Sequence, residues 1–327
     1  KTRQNDIDTA IQFTFFTGSS SGVGVSGRNG GGAGGNTLNI RQAFLTFGDK
    51  SWGTFKLGRD LGIFGSDAIL SDMTLLGVGT GGSPGGSSTL GRIGSGYIYA
   101  DWKGQVSYST PNFNGFQVSV GAMENFGNVS QARRELSYEA KATYDFAADN
   151  FSGRVWLGGI SQKSDGLAAV AAVADTTTAQ GTSAVAAGNS YTSRGVDIGF
   201  KASAGPAGLV AYYYDGKGLD GQNVLQGIFN ANGVKSDDDG GYVQGTYALP
   251  TQTKLGVSFG RSNSKSPTQA FDFENQSYVV GAYHPLTKHL NLVAEYTSQE
   301  IKNKVAAGTA VSKTENDTVS LGAILFF

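Results

Sequence analysis

The sequence has no cysteine, and only 6 prolines and 2 histidines among 327 residues. Without cysteine the chain forms no disulfide, no thiolate metal site and no thiol nucleophile. Glycine is abundant at 50 residues, but the scarcity of proline argues against a disordered tract rich in both residues. The glycines follow no three-residue period, which excludes a collagen helix. No shift in composition divides the chain, so we expect a single domain over residues 1–327.

An excess of one charge and long apolar runs are also missing. Lys and Arg number 25 against 26 Asp and Glu, and a net charge of −1 provides no basic field for nucleic acid. No run of about 18 apolar residues could cross a bilayer as a helix. The mean hydropathy of −0.20 is still compatible with a transmembrane barrel, whose strands alternate apolar and polar residues. The start, KTRQND, is polar without a signal peptide, so we expect the numbering to begin in a processed or truncated chain.

Alternation of apolar and polar residues is the main pattern that is present. Between residues 135 and 146, for example, Tyr138 and Tyr144 share one face of a strand while Glu139 and Lys141 share the other. Fourteen such strands are predicted, at residues 7–16, 37–47, 53–59, 98–108, 116–122, 135–146, 151–162, 191–204, 209–214, 241–249, 254–261, 277–284, 290–299 and 317–327. Short and long connections alternate between them. This predicts an all-β fold, a transmembrane antiparallel up-and-down β-barrel.

The number of strands decides which face lies inside. About eight strands close around an interior that side chains can fill, whereas fourteen enclose more volume than that. The interior must then hold water, so the polar faces line it and the apolar faces meet lipid. Aromatic residues near strand ends, such as Tyr108, Phe116, Tyr144 and Phe151, are then candidates for the girdles at the membrane surfaces.

Three sequence segments resemble those of the general porins of Gram-negative bacteria. NIRQAFLTFG at residues 39–48 and WGTFKLGR at 52–59 resemble the R-x-A-[FY] and G-x-x-x-L-G-R strands that precede the constriction loop of these porins. YSTPNFNG at 108–115 is similar to the turn that follows the loop. Phe327 ends an alternating strand and resembles the ending that the outer-membrane assembly machinery reads. Because such porins usually have sixteen strands, either an N-terminal hairpin is missing upstream of Lys1 or this is a fourteen-stranded member.

The strand pattern is interrupted between residues 57 and 96, and the resemblance implies a constriction loop there, at about residues 60–96, folded into the lumen. Arg41 and Arg59 would form the basic wall, facing Asp67 and Asp72 on the loop. Opposed charges across a narrow wet gap orient polar solutes and bias the choice of ion. Many relatives have an arginine where the next strand begins, but here Asp101-Trp-Lys103 stands near that place. Lys103 or Arg92 would then substitute, which leaves the ion preference open. The residues assigned to the pore constriction are Arg41, Arg59, Asp67, Asp72, Arg92, Asp101 and Lys103.

Simple alternation opposes part of this assignment. It puts Arg59 on the face of Phe55 and Leu57, and Arg41 on the face of Ala43. Either a bulge changes the phase of the strand, or the arginines are structural. For the loop acids the alternative is that they hydrogen bond the loop to the wall.

Apparent enzyme motifs lack the context that their chemistry requires. Two G-x-G-x-x-G matches, at residues 22–27 and 77–82, open no helix within a βαβ unit. The G-x-S-x-G match at 81–85 has a proline after the serine, which would disrupt a nucleophile elbow. His284 and His289 flank a turn and do not suggest a triad. Asp237, Asp238 and Asp239 could hold Ca²⁺, but a solvated loop is the simpler interpretation, and no cofactor or metal is expected.

The sequence therefore predicts an outer-membrane porin without enzymatic activity, which passes ions and small hydrophilic solutes by passive diffusion. The alternatives are a substrate-selective channel with a solute-binding constriction and, with less support, an outer-membrane barrel enzyme. The resemblance implies a homotrimer. Further expected partners are outer-membrane lipids, including lipopolysaccharide, and the assembly machinery of a Gram-negative outer membrane. Nucleic acid is not expected to bind.

Overall fold

The computed structural model describes residues 1–4, 6–19, 36–79, 91–125, 131–132, 135–166, 190–219, 235–266, 271–304 and 312–326. Nearly all of these residues lie in β-strands. In chain order the strands are β1 (Thr2–Gln4), β2 (Ile7–Ser19), β3 (Asn36–Asp49), β4 (Gly53–Leu61), β5 (Trp102–Ser109), β6 (Phe116–Met123), β7 (Gln131–Ala132), β8 (Ser137–Ala148), β9 (Phe151–Gly166), β10 (Tyr191–Ala204), β11 (Ala207–Lys217), β12 (Asp237–Ala248), β13 (Lys254–Ser266), β14 (Phe271–Pro285), β15 (Leu290–Lys304) and β16 (Ser312–Leu325). Between β4 and β5 lie a helix, α1 (Ser66–Ser71), and a short 3₁₀ helix, Met73–Leu76.

Each strand pairs antiparallel with the next one along the chain, in a single up-and-down sheet. The exception is β7, which pairs only with β9. All fourteen predicted strands occur, as β2 to β6 and β8 to β16, so the predicted all-β up-and-down fold is confirmed. The short strands β1 and β7 were not predicted. β1 and β16 are the two edges of the sheet, and no ladder joins them in the described part of the chain.

The two faces of the sheet differ as the alternation predicts. Large apolar side chains are exposed on the outer face, among them Leu157 (56%), Ile198 (57%) and Val257 (60%). On the inner face the buried residues are mainly polar, as Gln105, Ser258 and Thr297 illustrate. Rings also contact one another near the short turns, where Phe146 stacks on Phe151 with centroids 5.4 Å apart. The apolar outer face is the surface expected of a barrel that meets lipid.

The segment between β4 and β5 fills part of the interior. Residues 62–69 and 91–101 are almost all buried, and an apolar cluster joins them to inward-facing rings of the wall. Its members include Phe64, Ile98, Trp156, Tyr212 and Tyr242. In the described residues no helix is both long and apolar enough to cross a membrane.

The predicted start of β5 was wrong. Ile98 and Ala100 were assigned to the strand that contains Trp102, but that strand begins at Trp102. Residues 97–101 instead run beside residues 61–65, where the Gly62 N–H donates to the Asp101 carbonyl over 2.8 Å. Asp101 has a positive φ of 51°, which ends the regular strand conformation at this point. The alternation at Ile98 and Ala100 therefore reflects packing inside the barrel.

Candidate pore constriction

The candidate site is the inserted loop, defined as residues 62–101, of which 62–79 and 91–101 are described. The loop carries α1 and the 3₁₀ helix, and both are too short to be stable by themselves. Polar groups on the inner wall supply the partners that hold it. Those contacts extend from β8 through β10, β12, β13 and β14 to β15.

Glu139 on β8 anchors the first residues of the loop. Its Oε2 accepts hydrogen bonds from the N–H groups of Ile63 (2.7 Å) and Phe64 (2.8 Å). Its Oε1 pairs with the ammonium of Lys103 on β5, and neither side chain is exposed. A buried carboxylate needs a paired charge and donors for its remaining lone pairs, and Glu139 has both. The next residue, Gly65, donates its N–H to Asp197 on β10 over 3.0 Å.

Asp67, on α1, is bound by two basic side chains of the wall. It pairs with the ammonium of Lys141 on β8 and with Arg154 on β9, whose Nη1 lies 3.0 Å from Asp67 Oδ1. Arg154 also binds Asp145 through two nitrogens, over 2.6 and 2.7 Å. Burial tends to raise the pKa of the Asp67 carboxyl, but the charges and hydrogen bonds of Lys141 and Arg154 outweigh it and hold this pKa below its ordinary value. Asp67 is therefore an ionised tether between the loop and the wall.

Asp72 joins the two halves of the loop to each other. It caps the 3₁₀ helix by accepting from the Thr74 N–H over 2.9 Å. Its Oδ2 also accepts from the Tyr97 hydroxyl (2.8 Å) and from the Arg92 N–H (2.9 Å), both on the returning half. The carboxylate is buried and makes its bonds within the loop.

Arg92 attaches the returning half to the wall. It is completely buried, and its guanidinium donates to the Ser277 hydroxyl on β14 (2.8 Å) and to the Ser258 carbonyl on β13 (2.7 Å). Its Nε is buried without a hydrogen-bond partner. Burial lowers the pKa of Arg92, while the nearby charge of Asp72 opposes that change. With this geometry the side chain acts as a clamp between the loop and the wall.

Glu295 on β15 binds the end of the first described part of the loop, residues 62–79. It accepts from the N–H groups of Val78 (2.8 Å) and Gly79 (2.6 Å), and from the Tyr283 hydroxyl (2.7 Å). Halfway along, the Met73 N–H donates to Gln244 on β12 over 2.7 Å. The loop therefore follows the inner wall across many strands.

Arg41 occupies an irregular position on β3. The ladder with β2 pairs Thr14 with Gln42 and Phe15 with Ile40, and so skips Arg41. Because of this bulge, Gln42 and Ile40 face opposite sides of the sheet. Gln42 donates to Asp60 over 2.8 Å, while Ile40 is exposed. The Arg41 guanidinium lies 5.9 Å from the centre of the Trp102 ring.

Arg59 lies on a regular part of the ladder. It pairs with Ala43 on β3 and with Gly104 on β5 without a register shift. Gly58, which separates it from the exposed Leu57, has a positive φ of 124°, and the Nε atom of Arg59 is buried. Both arginines approach the inserted loop at Tyr99. Burial and Asp101 raise the pKa of the Tyr99 phenol, and the charges of Arg41 and Arg59 oppose the rise. The ladder thus shifts register at Arg41, whereas next to Arg59 the strand is irregular because Gly58 has a positive φ.

The remaining two predicted residues lie where the loop enters β5. Asp101 accepts the Trp102 N–H through Oδ1 over 2.6 Å, and its carbonyl accepts from Gly62. Lys103 is the buried partner of Glu139. Phe327, the predicted assembly signal, lies outside the described residues.

Sequence reasoning missed the acids of the wall, Glu139, Asp197 and Glu295. Each is an acid on the inward face of a strand, and each is buried. That pattern could have marked them as anchors, because a lone inward carboxylate needs donors from another segment. In the described part of the chain no group of three or more His, Cys, Asp or Glu residues could hold a metal ion. The three acids at Asp237–Asp239 alternate between faces of β12, with Asp238 buried and Asp237 exposed.

A barrel with an apolar exterior, a polar interior and a long loop bound inside it defines an outer-membrane channel. The profile of the family described as Gram-negative porin matches residues 1–304, so the chain belongs to that family. The protein is an integral β-barrel of the Gram-negative outer membrane. No curated protein matches the sequence significantly.

Known structures show the same fold at low sequence identity. In-vitro folded OmpT, an outer membrane protein of Vibrio cholerae, is 17% identical with a TM-score of 0.59, covering 100% of this chain and 86% of that one. OmpF of Salmonella typhi, in complex with daunomycin, is 15% identical with a TM-score of 0.57, covering 99% and 86%. An anion-selective porin from Comamonas acidovorans is 15% identical with a TM-score of 0.51, covering 91% and 77%. At these identities the comparison shows the fold alone.

Proposed function

We propose that the protein is a general diffusion porin, which passes ions and small hydrophilic solutes through a water-filled lumen narrowed by the inserted loop. The observation that supports this most is the row of anchors, Glu139, Asp197, Gln244 and Glu295, that binds the loop to the inner wall. A loop bound at so many points narrows the lumen permanently. Flux is then limited by size and charge and needs no opening step.

Charges on two sides of the lumen would act on passing ions. Lys141 and Arg154 border the loop at Asp67, and both retain some exposure, 17% and 30% of their side chains. On β4, Lys56 pairs with Asp60. Fixed charges that border a narrow aqueous path bias ion selection. The seven residues assigned from the sequence remain the proposed constriction set, with Asp67, Asp72, Arg92 and Lys103 holding the loop in place.

Planar-bilayer recording of the purified protein tests the proposal. We expect ohmic single-channel conductance, with a reversal potential in a salt gradient that reports the ion preference. The same preparation after heat denaturation is the control for detergent leaks. If the native protein gives no conductance steps, the pore proposal fails.

Solute flux into liposomes separates a general pore from a substrate-selective one. For a general pore we expect flux that rises linearly with solute concentration and falls with solute size. Saturation with one class of solute would instead indicate a binding site at the constriction. It would favour the substrate-selective channel over the general pore. Hydrolysis of ester or peptide substrates that depends on one serine would favour an enzyme.

We also propose that the protein is a homotrimer. OmpT of Vibrio cholerae has been described in a trimer form, and its fold matches this chain with a TM-score of 0.57. Native mass spectrometry from detergent micelles should give the mass of three chains. A monomer mass under conditions that preserve conductance would contradict this.

A further inference from the structure

In its described parts, residues 62–79 and 91–101, the inserted loop exposes no charged side chain. These parts contain four charged residues, and all four are buried: Asp67, Asp72, Arg92 and Asp101. Asp67 is bound to the wall, Asp72 to the returning half of the loop, and Arg92 to β13 and β14. The two acids that the sequence placed opposite a basic wall therefore hold the loop and do not line the lumen.

Aliphatic side chains form the exposed edge of the loop instead. Leu70 on α1 is 63% exposed, and Leu76 on the 3₁₀ helix is 59% exposed. Between them Ser71 and Leu75 are half-buried. Because the buried side of the loop lies against the inner wall, its exposed side faces the water of the lumen. We call Leu70, Leu75 and Leu76 the aliphatic rim.

The aliphatic rim differs in its surroundings from the other exposed apolar side chains. In the described part of the chain, the other large apolar residues that are exposed belong to the strands or to their ends and turns. Those on the outer face of the barrel meet lipid. Leu70 and Leu76 lie inside the barrel, where solutes pass. Apolar surface that a solute covers leaves water, which favours contact with the apolar part of that solute.

The wall across the lumen from the aliphatic rim is polar. The loop is held against β8 to β15, so the rim faces the strands on the other side of the lumen, which include β2, β3 and β4. Gln12 on β2 donates to Gln42 on β3 over 2.9 Å, and Gln42 donates to Asp60 on β4 over 2.8 Å. Asp60 pairs with Lys56, which keeps 32% of its side chain exposed. A passage with one aliphatic and one polar side stays wet, whereas a constriction that is hydrophobic all round can lose its water.

We propose that the aliphatic rim and the polar wall together favour small amphipathic solutes, such as amino acids with an apolar side chain. The apolar group of the solute contacts Leu70 and Leu76, while its charged end faces the polar side chains of β2 to β4. Contact of this kind is weak, so the solute is enriched at the constriction and still leaves quickly. The inference rests on the proposed function, because it concerns solutes that diffuse through the lumen. It adds a preference for one kind of solute to selection by size and charge.

Swelling of liposomes that contain the protein, in L-leucine and in L-asparagine, tests the proposal. Both solutes are zwitterions of the same branched shape, so they differ in the polarity of the side chain and not in size or charge. For the wild type we expect leucine to enter roughly two to four times faster, because its side chain gains apolar contact at the rim. In L70N/L76N, which keeps the width of the passage, the ratio should fall to about one because that contact is lost. L70M/L76M keeps the rim apolar and should keep the ratio. Leu286→Asn, at an exposed leucine in the turn between β14 and β15, is the matched control and should leave the ratio unchanged.

Three results would overturn the inference. The first is equal entry of leucine and asparagine through the wild type. The second is an unchanged ratio in L70N/L76N, and the third is an equal fall of the ratio in Leu286→Asn. A variant that inserts poorly lowers both rates in proportion, so the ratio reports the rim and not the number of channels. If neither solute enters through the wild type, the protein forms no pore, and the proposed function fails together with the inference.

Discussion

Lys103 and Glu139 form an ion pair in which neither side chain is exposed to solvent, at the point where the inserted loop begins. The second oxygen of Glu139 binds the N–H groups of Ile63 and Phe64. One carboxylate thus links two strands of the barrel to the loop. Breaking such a pair leaves an uncompensated buried charge, which costs far more than the pair itself contributes.

Glu139→Gln should therefore destabilise the protein by about 3–5 kcal/mol, because Lys103 stays buried without its counter-charge. Thermal unfolding followed by circular dichroism measures the change. Glu135→Gln is the matched control, since Glu135 is 45% exposed in its pair with Lys163 and its loss should cost at most about 1 kcal/mol. Equal melting temperatures for the two variants would contradict the role assigned to Glu139.

The ion pairs of Asp67 should make the channel sensitive to acid. Because Lys141 and Arg154 lower its pKa, this tether contributes its full stability above the ordinary carboxyl pKa of about 3.9 and loses it as the pH falls through the lower folded value. We expect steady single-channel currents at neutral pH and frequent closures only under strongly acidic conditions. The single-channel current of Asp67→Asn should already fluctuate at neutral pH, and the increase in closures at acid pH should be smaller than in the wild type. If the variant keeps the wild-type pH profile, the tether lies elsewhere.

Arg41 and Arg59 should both affect ion selectivity. Arg41 lies at a bulge in the ladder with β2, Arg59 follows Gly58, whose φ is positive, and both charges act on Tyr99 of the inserted loop. Arg41→Ala and Arg59→Ala should therefore each shift the reversal potential in a salt gradient toward cations. An unchanged reversal potential in either variant would count against the place of that residue at the constriction.

Arg92 is a basic residue of the loop that should not affect ion selectivity. Its guanidinium is buried against Ser277 and Ser258, so Arg92→Gln should leave the reversal potential unchanged while the returning half of the loop loosens and current noise rises. Ser277→Ala removes one acceptor and should have a smaller effect. A clear shift of the reversal potential in Arg92→Gln would show that passing ions encounter the charge of Arg92.

The barrel could be predicted from the sequence because a strand repeats every two residues, and one polar face per strand persists over a dozen positions in β8. The place of the inserted loop could be predicted because the pattern stops there. Its anchors could not, because they join residues far apart in sequence: Gly65 and Asp197 are separated by 132 positions, and Val78 and Glu295 by 217. Local patterns do not specify such pairs.

The direction in which individual side chains point could also not be predicted from the sequence. Arg41 needed a bulge that arises from the register of two strands, and the ladder with β2 provides it. Asp72 could have faced the lumen or the loop, and only the approach of Tyr97 and Arg92 decides between them. The resemblance to porins indicated which residues belong to the constriction region, while the hydrogen bonds indicate how each one is used.

Gly62 lies against the backbone of the returning half of the loop. A Cβ atom at this position would overlap the carbonyl oxygen of Ala100, which belongs to the backbone and cannot move aside without breaking the bond between Gly62 and Asp101. Gly62→Ala should therefore destabilise the protein by roughly 1–3 kcal/mol and widen the distribution of single-channel conductances. Gly245→Ala is the control, because its Cβ would meet only Val257 at 3.9 Å. Thermal unfolding and bilayer recording of both variants decide the matter, and a wild-type conductance distribution in Gly62→Ala would mean that this approach does not hold the loop.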